Sequence, residues 1–416
     1  MSLKNNIPRG YKDSPLGIIP QEWEVNPLNY FGDIYSGGTP DTKVPEYWNG
    51  DIAWCTPSDV TKLTTRYIES TEVKITKKGL KASSAILLPP RSIVVCTRAT
   101  IGNAAICNLE IATNQGFKNI IPNKGIVPEW LYYIIMLSKP RLIRLGCGST
   151  FLEVSKKDFS QFKIITPPLE EQRKIAEVLG VWDDASGKQA QLVEKLEQRK
   201  HGLMQRLLSG RQRLPGFSEP WQKVKLGEIC QRVKRKNVED NQNVMTISAQ
   251  RGFVAQTDFF NKNIASETLE NYYLVFRNEF CYNKSYSNGY PMGSIKRLSE
   301  ADKAVVTSLY ICFNVKPEAS ANIDYLSYYF DNGGLNRGLT KIANKGGRAH
   351  GLLNVTPKDF FGLSFEIPSL KEQTAIAEVL TTADREIIFA KWKLAALRTQ
   401  KRGLMQQLLT GKKRVN

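Results

Sequence analysis

Several loops of this sequence combine basic, amide and aromatic side chains. Residues 280–290 read Phe-Cys-Tyr-Asn-Lys-Ser-Tyr-Ser-Asn-Gly-Tyr, and shorter stretches at residues 97–102 and 114–118 are similar in kind. Such side chains hydrogen-bond to base edges or hold phosphates, although each loop taken alone is more often an ordinary solvated turn. The candidate nucleic-acid contacts are Arg98, Asn114, Lys118, Lys284, Tyr286, Asn288, Arg297 and Arg348.

Motifs for catalysis and cofactor binding are absent from the sequence. It contains no Gly-x-Gly-x-x-Gly after a strand, no phosphate-binding Gly-x-x-x-x-Gly-Lys-Ser/Thr and no His-Glu-x-x-His. The Asn/Asp-Pro-Pro-Tyr/Phe tetrapeptide of amino-methyltransferases is also missing. Asp183 and Asp184 are adjacent carboxylates, but we expect them on the solvated side of a helix in a structural role. The sequence therefore indicates no catalytic residues, no metal ligands and no cofactor in this chain.

The composition indicates a folded, basic protein, which suits either a polyanionic partner or a soluble protein without one. A chain of 416 residues exceeds the usual size of one domain, so at least two cores are expected. Its 58 Lys and Arg outnumber 40 Asp and Glu, giving a net charge of +18. No signal-like start or membrane-length apolar run is apparent, and the seven cysteines lack any Cys-x-x-Cys. We therefore expect a cytoplasmic protein with reduced cysteines and no membrane contact.

The chain contains an internal repeat. Residues 167–210 align without gaps on residues 368–411, and both copies contain Glu-Gln, Ile-Ala-Glu-Val-Leu and Gly-Leu-Met-Gln at matching positions. Between the repeated parts, roughly residues 35–145 and 230–345 cannot be aligned. The chain thus consists of two units whose ends are similar in sequence and whose central portions differ.

Each repeat predicts one long helix. Apolar residues recur every three or four positions, Pro167 and Pro368 end the preceding strands, and a glycine follows each predicted helix. Each helix would extend for about 40 residues, or about 60 Å, with a local break possible at Gly202 or Gly403. Neither helix can bury its row of apolar side chains alone. We therefore expect the two helices to pack on each other rather than only on their own domains. The residues expected in this coiled-coil spacer are Ile175, Leu179, Leu196, Leu203, Ile376, Leu380, Ile387, Leu394, Leu397 and Leu404.

The variable portions contain both strand and helix signals. Residues 85–88, 92–96, 304–306 and 309–313 are typical of short strands. Residues 128–136 and 323–330 are typical of helices. We predict an α+β protein with globular domains at residues 1–165 and 212–366 and long helices in residues 166–211 and 367–416.

The duplicated Pro-Leu-x-Glu-Gln-x-x-Ile-Ala-x-x-Leu, followed by a helix ending in Gly-Leu-Met-Gln-x-Leu-Leu-Ser/Thr-Gly, resembles the conserved regions of type I restriction–modification specificity subunits. Residues 35–40, 47–54 and 97–102 are similar to one class of target-recognition domain. Residues 282–285 and 288–293 are similar to another class. The resemblance covers essentially the whole chain.

This resemblance implies a fold and a function. Two target-recognition domains would be separated by an antiparallel coiled coil, with a pseudo-twofold repeat, and each would read one part of a bipartite asymmetric site in double-stranded DNA. The conserved regions would dock two methyltransferase subunits, which bring S-adenosylmethionine, and a translocating restriction subunit can join them. Methylation and cleavage would belong to these partners.

Two other classes of function stay open at this point. A single-chain DNA-modifying enzyme would transfer a labelled methyl group or cut DNA without partners, so an isotope-transfer assay would identify it. A coiled-coil adaptor that binds no nucleic acid would show no salt-dependent DNA affinity.

Overall fold

The structure, a computed structural model, describes residues 7–146, 152–257, 269–343 and 352–415. Its internal contacts divide the chain into two compact units. Unit 1 consists of residues 1–192 and 390–416, and unit 2 consists of residues 193–389. Each unit therefore contains one globular domain and part of both long helices. The module boundaries predicted at residues 165, 211 and 366 stay a prediction.

Unit 1 is a mixed α+β unit. Its strands are β1 (Tyr11–Lys12), β2 (Ile19–Pro20), β3 (Glu24–Pro27), β4 (Gly32–Ser36), β5 (Trp48–Cys55), β6 (Tyr67–Ile68), β7 (Val73–Ile75), β8 (Ile93–Cys96), β9 (Ala104–Cys107), β10 (Ile111–Thr113), β11 (Phe117–Pro122) and β12 (Lys163–Thr166). Its helices are α1 (Pro57–Lys62), α2 (Lys77–Lys81), α3 (Pro128–Leu137), α4 (Lys139–Leu145), α5 (Lys156–Ser160) and the first part of α6 (Leu169–Leu207).

Unit 2 is built from the same kinds of element. Its strands are β13 (Gln222–Lys225), β14 (Cys230–Arg232), β15 (Met245–Ser248), β16 (Gly252–Ala255), β17 (Tyr273–Phe276), β18 (Phe280–Asn283), β19 (Ser294–Arg297), β20 (Lys303–Val306), β21 (Ile311–Val315) and β22 (Ser364–Ile367). Its helices are α7 (Leu226–Ile229), α8 (Ile323–Asp331), α9 (Asn336–Ala343), α10 (Pro357–Phe361) and the first part of α11 (Leu370–Leu408).

Each unit contains its own central sheet, and the two sheets have a similar strand arrangement although their sequences cannot be aligned. The strand order is β4-β11-β8-β9-β6 in unit 1 and β14-β21-β18-β19 in unit 2, so four strands correspond. All the corresponding pairs are antiparallel. A small two-stranded sheet, β12-β3 or β13-β22, joins each domain to the start of its long helix. The internal repeat predicted for the ends of the domains therefore extends through their centres.

The predicted long helices are confirmed and pack on each other in antiparallel fashion. Both α6 and α11 have 39 residues, about 58 Å at 1.5 Å per residue, and neither is broken at Gly202 or Gly403. Residue numbers rise along one helix as they fall along the other, as in Asp183–Lys401 and Gln189–Ala390 within unit 1 and Lys200–Asp384 and Arg199–Glu386 within unit 2. Each helix also begins inside a domain core, because Ile175 and Leu179 are buried in unit 1 and Ile376 and Leu380 in unit 2.

The repeated Glu-Gln pair anchors the start of each long helix. Glu171 accepts hydrogen bonds from Arg414 at 2.7 and 3.0 Å and from Trp23 Nε1 at 2.8 Å. In unit 2, Glu372 accepts bonds from Arg213 at 2.6 Å to each carboxylate oxygen. Each arginine lies three residues after the glycine that follows the other long helix.

The glutamine of each pair closes the turn before the helix. Nε2 of Gln172 donates to the Pro167 carbonyl at 3.0 Å, and Nε2 of Gln373 donates to the Pro368 carbonyl at 2.9 Å. Both glutamines are buried. The repeated motif thus fixes how each domain is joined to the spacer, because a buried carboxylate and a buried amide both need partners.

Two expectations from the sequence are wrong in detail. Residues 85–88 form no strand, and only Leu88 makes an isolated bridge, to Ile111. The following Pro89 and Pro90 lack the backbone N–H that a continued ladder needs. Asp183 is not on a solvated face: its side chain is 19% exposed and accepts hydrogen bonds from Lys401 and from Tyr133 Oη. Its predicted structural role fits these contacts.

Candidate nucleic-acid interface

Equivalent hairpins carry the candidate loops in the two units. Residues 97–103 connect β8 to β9 in unit 1, and residues 284–293 connect β18 to β19 in unit 2. Each loop also bonds to the segment that leads into the small two-stranded sheet. Val154 N donates to the Thr97 carbonyl at 3.0 Å, and Leu353 N donates to the Lys284 carbonyl at 3.1 Å. The shared fold thus presents two loops of different sequence from corresponding positions.

In unit 1 the structure brings Arg98 and Lys118 together on Glu153. Arg98 Nη2 lies 2.6 Å from Glu153 Oε2, and Lys118 Nζ lies 3.5 Å from Glu153 Oε1. The hydrogen bond from Arg98 holds the pKa of Glu153 below its usual range, while burial lowers the pKa of Lys118. Lys118 is only 5% exposed, whereas the side chain of Arg98 is 45% exposed. Arg98 is therefore the accessible cation of this cluster.

Asn114 shapes the neighbouring turn. Its Oδ1 accepts a hydrogen bond from Gly116 N at 2.9 Å, and the Gly116 carbonyl accepts one from Thr97 N at 2.7 Å. Gln115 at the tip is exposed and bonds to Thr39. The turn thus lies beside the Arg98 loop, with Gln115 as its most exposed side chain.

In unit 2 the structure gathers Lys284, Tyr286 and Asn288 in one loop. Lys284 is half-buried, Tyr286 is 57% exposed and Asn288 is exposed at the tip. Arg297 lies at the opposite end of β19 from this loop and pairs with Asp324 at 2.5 Å. Arg348 lies outside the described residues. The structure therefore brings three of the five candidates of this half together.

Three polar residues near the candidate loops are not among the contacts predicted from the sequence, namely Glu153 in unit 1 and Gln250 and Arg251 in unit 2. Glu153 was overlooked because a carboxylate is not an expected neighbour of a polyanion. Gln250 and Arg251 lie in the turn that joins β15 to β16, and Gln250 lines the same cleft as Asn288. Their only sequence signal is a polar Ser-Ala-Gln-Arg-Gly turn.

The residues predicted for the spacer differ in burial along the helices. Ile175, Leu179, Ile376, Leu380 and Ile387 are buried. The remaining predicted positions keep part of their surface exposed, namely Leu196, Leu203, Leu394, Leu397 and Leu404. Four of the five buried positions lie near the start of a helix, where it packs on a domain core, and Ile387 lies near the middle of α11.

A tyrosine–aspartate–lysine contact is repeated between each domain and the helix pair. Tyr133 Oη donates to Asp183 at 2.5 Å in unit 1, and Tyr328 Oη donates to Asp384 at 2.7 Å in unit 2. Lys401 and Lys200, respectively, pair with the same carboxylates. Burial raises the pKa of Tyr328 to about 12 and raises that of Tyr133 further. Both tyrosines thus stay neutral donors that fix α3 and α8 against the spacer.

Metal-binding clusters, membrane-spanning helices and disulfides are all missing from the described part of the chain. Within residues 7–146, 152–257, 269–343 and 352–415, no three His, Cys, Asp or Glu side chains are grouped so as to hold a metal ion. No helix in these ranges combines the length and apolar character needed to cross a membrane. The six cysteines in these ranges are free and buried.

Comparison with known proteins identifies relatives over part and over all of the chain. Over 191 residues it is 39% identical to the type I restriction enzyme MjaIX specificity subunit of Methanocaldococcus jannaschii, covering 45% of this chain and 44% of that protein. It is 30% identical to the Escherichia coli EcoR124I/EcoR124II specificity subunit over 42% of this chain and 44% of the relative. The chain thus spans less than half the length of these two relatives. The MjaVIII specificity subunit of M. jannaschii is 24% identical over 95% of this chain and 94% of its own length.

Solved structures show a similar fold. The crystal structure of the type I restriction-modification S subunit from M. genitalium has a TM-score of 0.54 at 16% identity, covering 98% of both chains. A structure described as the basis of complex assembly and conformational transition of the type I R-M system has a TM-score of 0.57 at 17% identity, covering 95% of this chain and 99% of that one. At such identities the likeness concerns the fold alone.

The family described as the type I restriction modification DNA specificity domain matches this chain twice, at residues 20–198 and 218–398. Each match contains one of the two loop-bearing sheets and most of one long helix. The two matches together cover most of the chain, and the chain belongs to this family of type I restriction–modification specificity subunits, with two recognition domains.

Proposed function

We propose that this chain reads a bipartite, asymmetric site in double-stranded DNA, one part through each recognition domain. The observation that carries the proposal is the similar strand arrangement of the two central sheets. Each sheet presents a loop of different sequence from the corresponding hairpin. Two recognition domains with a common strand arrangement but different contact residues would select two different half-sites. The net charge of +18 supports binding to a polyanion.

The antiparallel helix pair would set the distance between the two half-sites. Its helices of about 58 Å are long enough to hold two domains one turn of DNA, about 34 Å, apart. We further propose that the conserved regions dock two methyltransferase subunits carrying S-adenosylmethionine, and that a translocating restriction subunit can join them. In this proposal the chain itself is not catalytic, and it acts in the cytoplasm where DNA and these partners are met.

Salt dependence of DNA affinity tests the proposal. If the chain neutralises six to ten phosphates, its affinity should fall by about 10³ to 10⁵ between 50 and 200 mM salt. Binding of the full chain to duplex DNA should be measured over this range. A DNA affinity that does not change with salt would contradict the proposal and favour a coiled-coil adaptor.

Arg98→Ala gives a residue-level form of the same test. Loss of a base contact should cost about 1–3 kcal/mol and relax one position, whereas loss of a phosphate contact should weaken all duplexes and reduce the salt slope by about one. The same titration should be repeated with the other candidate positions. Lys163→Ala is a matched control, because Lys163 is exposed on β12 and away from the loops. Parental binding by most of the eight candidate variants would show that these loops do not face DNA.

A further inference from the structure

An uncharged polar cleft opens in unit 2 beside the candidate loop. It has a volume of about 430 Å³ and lies between the turn at residues 248–250, the loop at residues 284–293 and Tyr310. Its lining consists of amide, hydroxyl and small apolar side chains, with no acidic or basic side chain among them. The cleft itself therefore offers hydrogen-bonding groups but no charge, in a chain of net charge +18.

Some of the polar side chains of the cleft are hydrogen-bonded to other residues of its lining. Asn283 Nδ2 donates to the Ile247 carbonyl at 3.3 Å, and its Oδ1 accepts from Ser285 N at 3.0 Å. Tyr310 Oη bonds to Thr246 Oγ1 at 3.0 Å. These bonds join the end of β15 to the end of β18 and to Tyr310, and all of these residues line the cleft.

Two carboxamide side chains of the lining make no hydrogen bond within the described part of the chain. Gln250 and Asn288 are exposed, and neither side-chain amide has a hydrogen-bond partner among the residues that the structure describes. Asn288 is held at a tight turn with Gly289, whose φ is +82°, and Tyr290 N donates to the Ser287 carbonyl at 2.8 Å. Of the two central residues only Gly289 has a positive φ, as at the third position of a type II turn. The Asn288 amide is therefore presented at the tip of a hydrogen-bonded turn.

Two basic residues are chain neighbours of residues that line the neutral cleft. Arg251 follows Gln250, and Lys284 follows Asn283, so each lies next to a residue of the lining. Neither side chain forms an ion pair within the described parts of the chain. Uncharged groups that read bases between cations that hold phosphates are the arrangement expected of a DNA-reading surface.

We propose that Gln250 and Asn288 are specificity-determining residues that read adenine in the half-site of the second domain. A carboxamide offers one acceptor and a pair of donor hydrogens, which match the N6 donor and N7 acceptor that adenine shows in the major groove. Arg251 and Lys284 hold the adjacent phosphates. This inference rests on the proposed function, because it assigns residues to one of the two DNA-reading domains.

Selection from randomised duplexes tests the assignment. The full chain and its variants Gln250→Ala, Asn288→Ala and Asn288→Asp are each used to enrich duplexes, and the bound pools are sequenced. Each alanine variant should reduce the preference for adenine at one position of one half-site by about 5-fold to 150-fold. Asn288→Asp keeps the turn but presents only acceptors, so the preferred base should change from adenine to cytosine.

Gln231→Ala is the matched control, since Gln231 is an exposed carboxamide on β14, outside the cleft. It should select the same bases as the parent. If the parent enriches a split site and the cleft variants enrich the same bases at every position, this inference is overturned and the proposed function stands. If the parent enriches no sequence, both are overturned.

Discussion

Exchanging residues 35–145 for the corresponding part of another recognition domain should replace one half of the methylated DNA site and leave the other half unchanged. The reason is structural, because this segment contains β6, β8, β9 and β11 of the central sheet, the end of its edge strand β4 and the candidate loops of unit 1, but none of the long helices. The spacer and the second domain are then unaltered. The expected result is read by mapping methylated adenines in DNA modified by the parental and exchanged complexes.

The exchange has a structural condition and a reciprocal control. The donor segment should keep a tyrosine at position 133, since its hydroxyl bonds to Asp183 of the spacer. Exchange of residues 230–345 should alter the other half of the site, with Tyr328 retained for the equivalent bond to Asp384. A change of both halves on exchange of one segment would contradict the modular account.

Leu179→Ala should lower the free energy of unfolding of unit 1 by about 2–5 kcal/mol. Leu179 is fully buried in a core that also contains Trp23, Ile175 and Leu408, so its truncation loses apolar contacts and leaves a cavity. The measurement is denaturant unfolding followed by a signal from unit 1, such as the fluorescence of its tryptophans.

Val181→Ala is the matched control on the same helix. Val181 is 63% exposed, and a substitution at such a surface position should change stability by no more than about 0.5 kcal/mol. Equal effects of the two substitutions would contradict the packing of the start of α6 in the core of unit 1.

The long helices and several elements of the domains could be predicted from the sequence, because the patterns that indicate them lie within short stretches of the chain. Apolar residues three and four apart, bounded by proline and glycine, predicted both 39-residue helices to within a turn. Residues 128–136 and 323–330 predicted α3 and α8 for the same reason. Runs of β-branched residues located β8 and β20.

Contacts between distant residues could not be predicted. In the sequence, Glu171 and Glu372 stand out only as part of the repeated Glu-Gln pair, whereas their partners Arg414 and Arg213 are 243 and 159 positions away. The common sheet was hidden because the two cores are filled differently. Stacked rings such as Phe280 and Phe313 pack in unit 2, while small and aliphatic side chains fill β8 and β9 in unit 1.

The candidate contacts show the same limit. Loop composition selected Arg98 and Asn288, which the structure leaves accessible. It could not show that Arg297 faces Asp324 at the far end of β19, or that Lys118 is buried. Which side of a domain a polar residue occupies depends on tertiary packing rather than on its neighbours in sequence.

The central claim, that one chain reads two different half-sites, is tested most directly by mapping every methylated adenine in DNA modified by the complex that contains this chain. The account predicts one site made of two short, unequal specified sequences separated by a fixed number of unspecified base pairs. A single uninterrupted sequence, or two identical half-sites in inverted repeat, would contradict it.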